Sequence, residues 1–248
     1  MKIISNMQIL YGFDNLPTIR EAVATVGSYD GVHSGHRELI GQVISRAKAR
    51  GGESIVLTFD PHPRITLGKA DGLKLLTMPE EKALLLEQLG VDYIIVIPFD
   101  LSFSRLSHEE FIEQYLIRKV GIKELVVGYN HHFGHNKTGD YNYLTSNHPL
   151  LEVTRVEQQL VDSNKVSSTV VRATIEQGDM RSAKQLLGHP YIIIGNSDQS
   201  GFVTTDRYKL LPIEGVYDAV VNGNKMQVTL CNNGVKCNVY NEKVTIEL

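Results

Sequence analysis

The chain has 248 residues, 42% hydrophobic and 21% charged, with a formal net charge of -3. That length suffices for one large domain, or for one ordinary domain with an appendage, around a buried core. The composition sets aside a disordered or membrane-spanning chain, and the charge gives no general reason to expect nucleic acid, so any anion must be met by a local site.

The first residues, "MKIISNMQIL", lack a long apolar stretch and a small-residue cleavage site, and no later run approaches membrane-spanning length. A cytoplasmic protein is the expectation. Next comes a strand in "EAVATVGS", then a helix over residues 35 to 50, a strand in "ESIVLTFD", a helix over 79 to 90 and a strand in "DYIIVIPF". "HEEFIEQYLIRKVG" reads as a helix capped by Gly121, followed by the strand "KELVVGYN". Ile- and Val-rich strands separated by helices imply a parallel sheet covered on both faces, with ligands at the carboxyl ends of its strands. "KVSSTVVRATIEQGDMRSAKQLLG" supplies a Ser/Thr cluster opening a helix, and Gly188 near the end of the next. From about His189 the pattern changes to short β-type segments, "YIIIG", "GVYDAVV", "KMQVTL", "VKCNVY" and "KVTIEL", which predict a small all-β domain. The expected division is therefore 1–186 and 187–248. Cys231 and Cys237 flank an Asn-Asn-Gly turn and read as free thiols, with no second ligand pair to make a metal site.

The strand ends carry the chemistry. In "GSYDGVHSGH", Gly31 and Gly35 would let a ligand approach the backbone, while a helix beginning near Ser34 offers unpaired N–H groups and the positive end of its dipole. His33 and His36, three apart, could donate to phosphate oxygens and add charge if protonated. Spacing alone leaves two readings open, a phosphate site and a polar turn. "VSSTVVR" places hydroxyls at a helix start and Arg172 one turn after Thr169; taken alone, that pattern is an ordinary cap beside a solvated arginine. Pro61 and Pro63 in "DPHP" predict a stiff extended loop able to shape a pocket wall. His131, His132 and His135 lack an acidic or cysteine partner at metal-site spacing.

"GSYDGVHSGH" resembles the His-x-Gly-His signature of the nucleotidyltransferase superfamily and, more narrowly, the Gly-Asn-Phe-Asp-Gly-Val-His-x-Gly-His stretch of bacterial bifunctional FAD synthetases. "TFDPHP", "IPFDLSFSRLSHEEFI", "VVGYNHHFGHNKTGD" and "VSSTVVRATIEQGDMRSAKQLLGHPY" are similar to further motifs of that family, in the same order; the last ends where the family has Leu-Leu-Gly-Arg-Pro-Tyr. The resemblance implies a Rossmann-like nucleotidyltransferase α/β domain followed by a shortened β-barrel. It implies FMN adenylyltransferase activity with ATP and FMN as substrates and Mg2+ accompanying ATP, and no nucleic acid or membrane partner. His33, His36 and Arg172 would be catalytic. Gly27, Ser28, Tyr29, Asp30, Gly31, Gly35, Ser168 and Thr169 would hold ATP. Phe59, Pro61, His62, Pro63, Gly128, Asn130 and Phe133 would line the flavin end. Ser28, Tyr29, Asn130 and Lys137 depart from the usual Asn, Phe, Asp and Arg. In "GFVTTDRYKLLPIEGVY", Val203, Thr205 and Asp206 stand for the Pro, Ala and Asn of the family's kinase loop, and the strand with the catalytic glutamate is not found. A barrel without kinase activity is expected; retained riboflavin kinase activity, a non-catalytic flavin or nucleotide sensor, and another adenylyl- or cytidylyltransferase on the same scaffold are the alternatives.

Overall fold

A computed structural model describes residues 7–129, 141–157, 160–161 and 164–248. The chain divides into two compact units. The first comprises Met1–Tyr29, His36–Asp71 and Leu85–Gln159, and the second Asp30–Gly35, Gly72–Leu84 and Leu160–Leu248.

The first unit is built on strands β1 (Gln8–Tyr11), β2 (Val23–Val26), β3 (Ser54–Asp60), β4 (Tyr93–Pro98), β5 (Glu124–Gly128) and β6 (Glu152–Val156). They form a six-stranded sheet in the order β1-β4-β3-β2-β5-β6, every pairing parallel. β1 and β6 went unread in the sequence, being short, half-exposed edge strands with little apolar patterning. Period-two alternation gives the sheet two different faces. Ala22, Ala24, Val26, Leu125 and Val127 pack into one cluster with Phe111, Ile112, Leu116 and Leu144, while Val23 and Val126 face Val43 and Ala47 of helix α1 (Ser34–Ala49). Helices thus cover both faces, as expected of a parallel sheet. Helices α2 (Pro63–Thr66), α3 (Pro79–Leu89), α4 (His108–Glu110) and α5 (Tyr141–Asn147) follow in chain order. α4 opens with a Ser107–Glu110 capping box and continues as a π-helix over Phe111–Val120, which Gly121 ends at φ 76°. The strand order reverses between β2 and β5, making their carboxyl ends the switch point where open α/β sheets bind ligands.

In the second unit, β7 (Leu160–Val161) and β8 (Asn164–Lys165) form a small antiparallel ribbon, and helices α6 (Ser168–Glu176) and α7 (Met180–Leu187) follow. A second six-stranded sheet contains β9 (Ile192–Asn196), β10 (Phe202–Thr204), β11 (Gly215–Val221), β12 (Asn224–Cys231), β13 (Gly234–Lys236) and β14 (Lys243–Glu247) in the order β10-β13-β12-β11-β14-β9. Its two ends meet where Ser197 bridges Val203 and Asp198 N–H donates to Phe202 O at 3.0 Å, so the sheet curls into a nearly closed barrel. β10, only three residues long, had no readable alternation. Cys231 and Cys237 are free thiols. Packing divides the chain differently from the expected break after residue 186. Val171, Ile175, Ala183 and Leu187 share one buried cluster with Tyr191, Ile193, Val203 and Val244, so α6 and α7 belong with the barrel strands.

Candidate active site

β2 and β5 pair only through Val23–Glu124 and Ala24–Leu125. One step later the Thr25 hydroxyl donates to Val126 O at 2.7 Å, continuing the link between the two strands through a side chain. With its proton committed there, Thr25 accepts from the Tyr29 hydroxyl at 2.6 Å. Burial raises the Tyr29 pKa, so the phenol stays a donor. Tyr29 is not displayed to solvent. Its ring is buried and stands edge-on to His36, with centroids 5.3 Å apart, forming a wall behind that imidazole. A Cβ on Gly27 would lie 2.9 Å from the Tyr29 ring, so this packing demands glycine. Ser28, half-buried, offers its carbonyl to the Thr58 hydroxyl at 3.4 Å.

The loop Asp30–Gly35 belongs to the second unit and is tied down through the carboxylate and carbonyl of Asp30 and through the N–H and carbonyl of Gly31. The Asp30 carboxylate accepts from Leu76 N at 2.9 Å and Thr77 N at 3.0 Å, and its second oxygen lies 2.7 Å from Arg172 Nη2. Asp30 O accepts from the Ser168 hydroxyl at 2.9 Å, and Gly31 N–H donates to Thr77 Oγ1 at 3.0 Å. Gly31 O faces His189 Nε2 at 3.0 Å. Gly31 has φ 85°, and a Cβ there would sit 2.6 Å from Leu76 Cδ1, so geometry and space both require glycine. Val32, fully buried, holds φ 41°. A β-branched residue in that region costs about 1–3 kcal/mol, a strain kept only where the surroundings over-determine it and typical of ligand-binding turns.

Val32 delivers His33, 6% exposed, to the start of α1. Burial pushes the His33 pKa down to about 4, against the opposing pull of Asp30, so the ring is neutral near pH 7. The sequence allowed a protonated His33; desolvation makes it a neutral hydrogen-bonding group and leaves fixed positive charge to Arg172. Gly35 lies beside that ring, its Cβ position 3.4 Å from two His33 atoms. Asp30 was expected among the ATP ligands, but its oxygens are engaged within the protein.

α6 begins with Ser167 as its cap, its hydroxyl accepting from Val170 N at 3.4 Å. Ser168 reaches Asp30 O, Thr169 is exposed, and Arg172 is fixed from two sides, with Nε donating to Lys74 O at 2.8 Å. Three participants escaped the sequence reading: Thr77, Ser167 and His189. Only the tandem serine carried any signal; Thr77 lies in a segment without motif character, and His189 stood in a boundary motif.

At the other candidate face, Pro63 does not extend the chain as expected. His62 Nδ1 accepts from Arg64 N at 3.2 Å and caps α2, with Pro63 in its first turn, where the missing N–H and fixed φ suit a helix start. The Asp60–Pro61 peptide is cis. Phe59 is half-buried, edge-on to Phe99 at 5.3 Å, and Gly128 closes β5. Asn130 and Phe133, with His131, His132, His135 and Lys137, lie outside the described residues. No metal site was read in the sequence, yet among the described residues Glu109, Glu113 and His148 place ligand-type atoms within 4.8 Å of one another. His148 is buried, with one ring nitrogen 3.2 Å from each carboxylate, which makes the cluster a polar clasp between the end of α5 and the helix following Ser107.

Comparison with known proteins matches residues 16–170 to the family described as FAD synthetase. A bifunctional riboflavin kinase/FMN adenylyltransferase of Listeria monocytogenes is 38% identical over 175 residues, covering 70% of this chain and 55% of that protein. The protein of the same name from Bacillus subtilis is 33% identical over 240 residues, covering 90% and 75%. The Escherichia coli protein of that name is 30% identical over 231 residues, covering 88% and 74%. The solved structure titled macrolide-efflux protein from Streptococcus pneumoniae covers 97% of both chains with a TM-score of 0.81 at 24% identity, a likeness of fold. No helix among the described residues is long and apolar enough to cross a membrane. On the match across residues 16–170 and these relatives, the chain belongs to the FAD synthetase family.

Proposed function

We propose that this chain is an FMN adenylyltransferase, transferring AMP from ATP to FMN. A phosphate oxygen of FMN attacks the α-phosphorus, the bond from that phosphorus to the bridging oxygen breaks, and FAD and pyrophosphate result. The carrying observation is that the FAD synthetase match over residues 16–170 contains the loop Asp30–Gly35, which is tied at Asp30 and Gly31, strained at Val32, and presents His33 where α1 begins.

Transfer of this kind needs alignment and stabilisation of spread negative charge rather than a protein nucleophile. In this reading neutral His33 donates a hydrogen bond to phosphate, His36 stabilises charge as pyrophosphate departs, and the backbone of Ser28 and Gly35 lets phosphate approach closely, while Gly27 and Gly31 are glycine for the packing of Tyr29 and Leu76. Thr169 and Arg172 serve the departing phosphates, with Arg172 supplying charge, while Ser168, whose proton is committed to Asp30 O, acts by holding the loop. Tyr29 and Asp30 act by support. Mg2+ neutralises phosphate charge when it arrives with ATP. The Asp30 carboxylate, engaged by Arg172 and two backbone N–H groups, does not fit a cation ligand, so the phosphates themselves carry the ion. Phe59, Pro61, His62, Pro63 and Gly128, with Asn130 and Phe133, are assigned to the flavin end.

The chemistry is assigned to the part before residue 187 and does not extend to riboflavin phosphorylation. Val203 is wholly buried in the barrel core, and the Asp206 carboxylate accepts from Tyr208 N at 2.7 Å, so two of the altered kinase-loop positions serve the fold. Chromatography of flavin products after incubation with ATP and Mg2+ tests the reading. FMN should give FAD while riboflavin remains unchanged; FMN formed from riboflavin would restore the bifunctional alternative, and binding without any product would favour the sensor.

A further inference from the structure

Glu109 on α4 and Glu113 on the helical segment that continues it are four residues apart, which sets them on one side of the helix. His148, directly after α5, reaches between them. Its Nε2 lies 3.2 Å from Glu109 Oε2 and its Nδ1 lies 3.2 Å from Glu113 Oε1. The core fixes the two sides of this cluster relative to each other. Leu144 of α5 packs in one buried cluster with Phe111, Ile112 and Leu116, and His148 N–H donates to Leu144 O at 3.0 Å. His148 is 5% exposed, whereas the side chains of Glu109 and Glu113 are 50% and 37% exposed. The ring is therefore held while the carboxylates can adjust around it.

These groups have the chemistry and the spacing of metal ligands. One ligand atom from each of the three residues lies within 4.8 Å of the others. Zn2+ takes imidazole nitrogen and carboxylate oxygen at about 2.0–2.2 Å, so two of its tetrahedral ligand atoms stand about 3.4 Å apart. The 3.2 Å between His148 Nε2 and Glu109 Oε2 is already close to that spacing. The Tyr143 hydroxyl donates to the same Glu109 oxygen and, with His148 nearby, holds this carboxyl below the usual carboxylate range, so it stays ionised. On the far side of the ring, an Nδ1–H donating to Glu113 is the carboxylate–histidine pairing that fixes the tautomer and orientation of a metal-bound imidazole. An imidazole with carboxylate suits Zn2+ and its transition-metal neighbours, whereas Mg2+ favours an octahedral shell of oxygens rich in water and phosphate.

We infer that Glu109 and His148 bind a divalent transition-metal ion, Zn2+ being the best match, with Glu113 orienting the ring through Nδ1–H and water completing the shell. Bound there, the ion pins the end of α5 to the helix that begins after Ser107. None of the three residues has a part in the proposed adenylyl transfer, so the inference stands independently of it.

Calorimetric titration of the full chain with Zn2+, in the absence of nucleotide, tests the site. The wild type should bind one equivalent that Glu109→Gln removes and that Glu113→Gln weakens about 10- to 100-fold. Both substitutions keep the shape of an exposed side chain, and unchanged circular dichroism confirms that the variants fold. NMR of the imidazole rings locates the ion: one equivalent of Zn2+ should shift the His148 ring signals of the wild type and leave those of Glu109→Gln in place. A wild type that takes up no Zn2+, equal binding by all three proteins, or His148 signals that do not respond would each overturn the inference.

Discussion

The guanidinium of Arg172 lies 2.7 Å from the carboxylate of Asp30, across 142 residues of sequence, and the aspartate also holds the backbone of Leu76 and Thr77. A residue read from its motif as a phosphate ligand is thus also a structural anchor, positioned before any substrate arrives. Pre-organisation of this kind lowers the cost of aligning charge during transfer.

Removing Asp30 should therefore harm folding as well as catalysis. Asp30→Ala leaves Arg172, with a side chain 24% exposed, facing an uncompensated pocket and frees two buried N–H groups. Loss of one partner of such a pair costs about 3 kcal/mol. Urea unfolding followed by circular dichroism should show that loss, and a variant within about 0.5 kcal/mol of the wild type would refute the anchoring role.

His33 gives the protein a defined acid sensitivity. Its pKa is about 4 when folded and 6.5 in the unfolded chain, so between these values the unfolded state binds the extra proton. The stability contributed by keeping the ring neutral is whole above pH 6.5 and is lost progressively as the pH falls to about 4, in total on the order of 3 kcal/mol. His33→Gln should flatten that portion of the stability–pH curve. An identical acid slope in wild type and variant would remove His33 as the cause.

Lys209 and Glu81 form a wholly buried pair at 2.6 Å, with Lys209 also donating to Leu76 O at 2.8 Å and Ile192 O at 2.7 Å. Burial lowers the lysine pKa against the pull of Glu81, and the three acceptors match its three N–H donors. Lys209→Met should destabilise by about 3–5 kcal/mol because it strands a buried carboxylate, and adding Glu81→Gln should recover part of the loss. Strict additivity of the two substitutions would show that the residues do not act as a pair.

His36 is braced by the Tyr29 ring, and the proposed function gives it a part in the chemistry rather than in the core. Replacing it with alanine should lower turnover on the order of 100-fold with little change in melting temperature. Turnover near that of the wild type would defeat the role assigned to it.

Much of this was legible in the sequence, for reasons that particular residues make plain. Buried parallel strands such as Ile55–Leu57 and Ile94–Ile97 are continuous apolar runs, and αL caps such as Gly121 and Gly188 need glycine, so both classes of signal are local. β1, β6 and β10 are short or at an edge, and pairing rather than composition defines them. The site divided in the same way. The motif offers the histidines and Arg172 as candidates, whereas the anchoring role of Asp30 depends on backbone N–H groups 46 and 47 residues away, which no spacing along the chain discloses. The neutral state of His33 likewise follows from burial, a tertiary property. α6 and α7 read as part of the first domain because the motifs run through them, while their apolar faces pack with the barrel.

The most direct test of adenylyl transfer is to follow the label from ATP carrying radioactive phosphorus at the α position, with FMN and Mg2+ present. The account predicts that the label appears in FAD, with unlabelled pyrophosphate released in equal amount. Label that stays in ATP, or that leaves as free AMP without forming FAD, would contradict it.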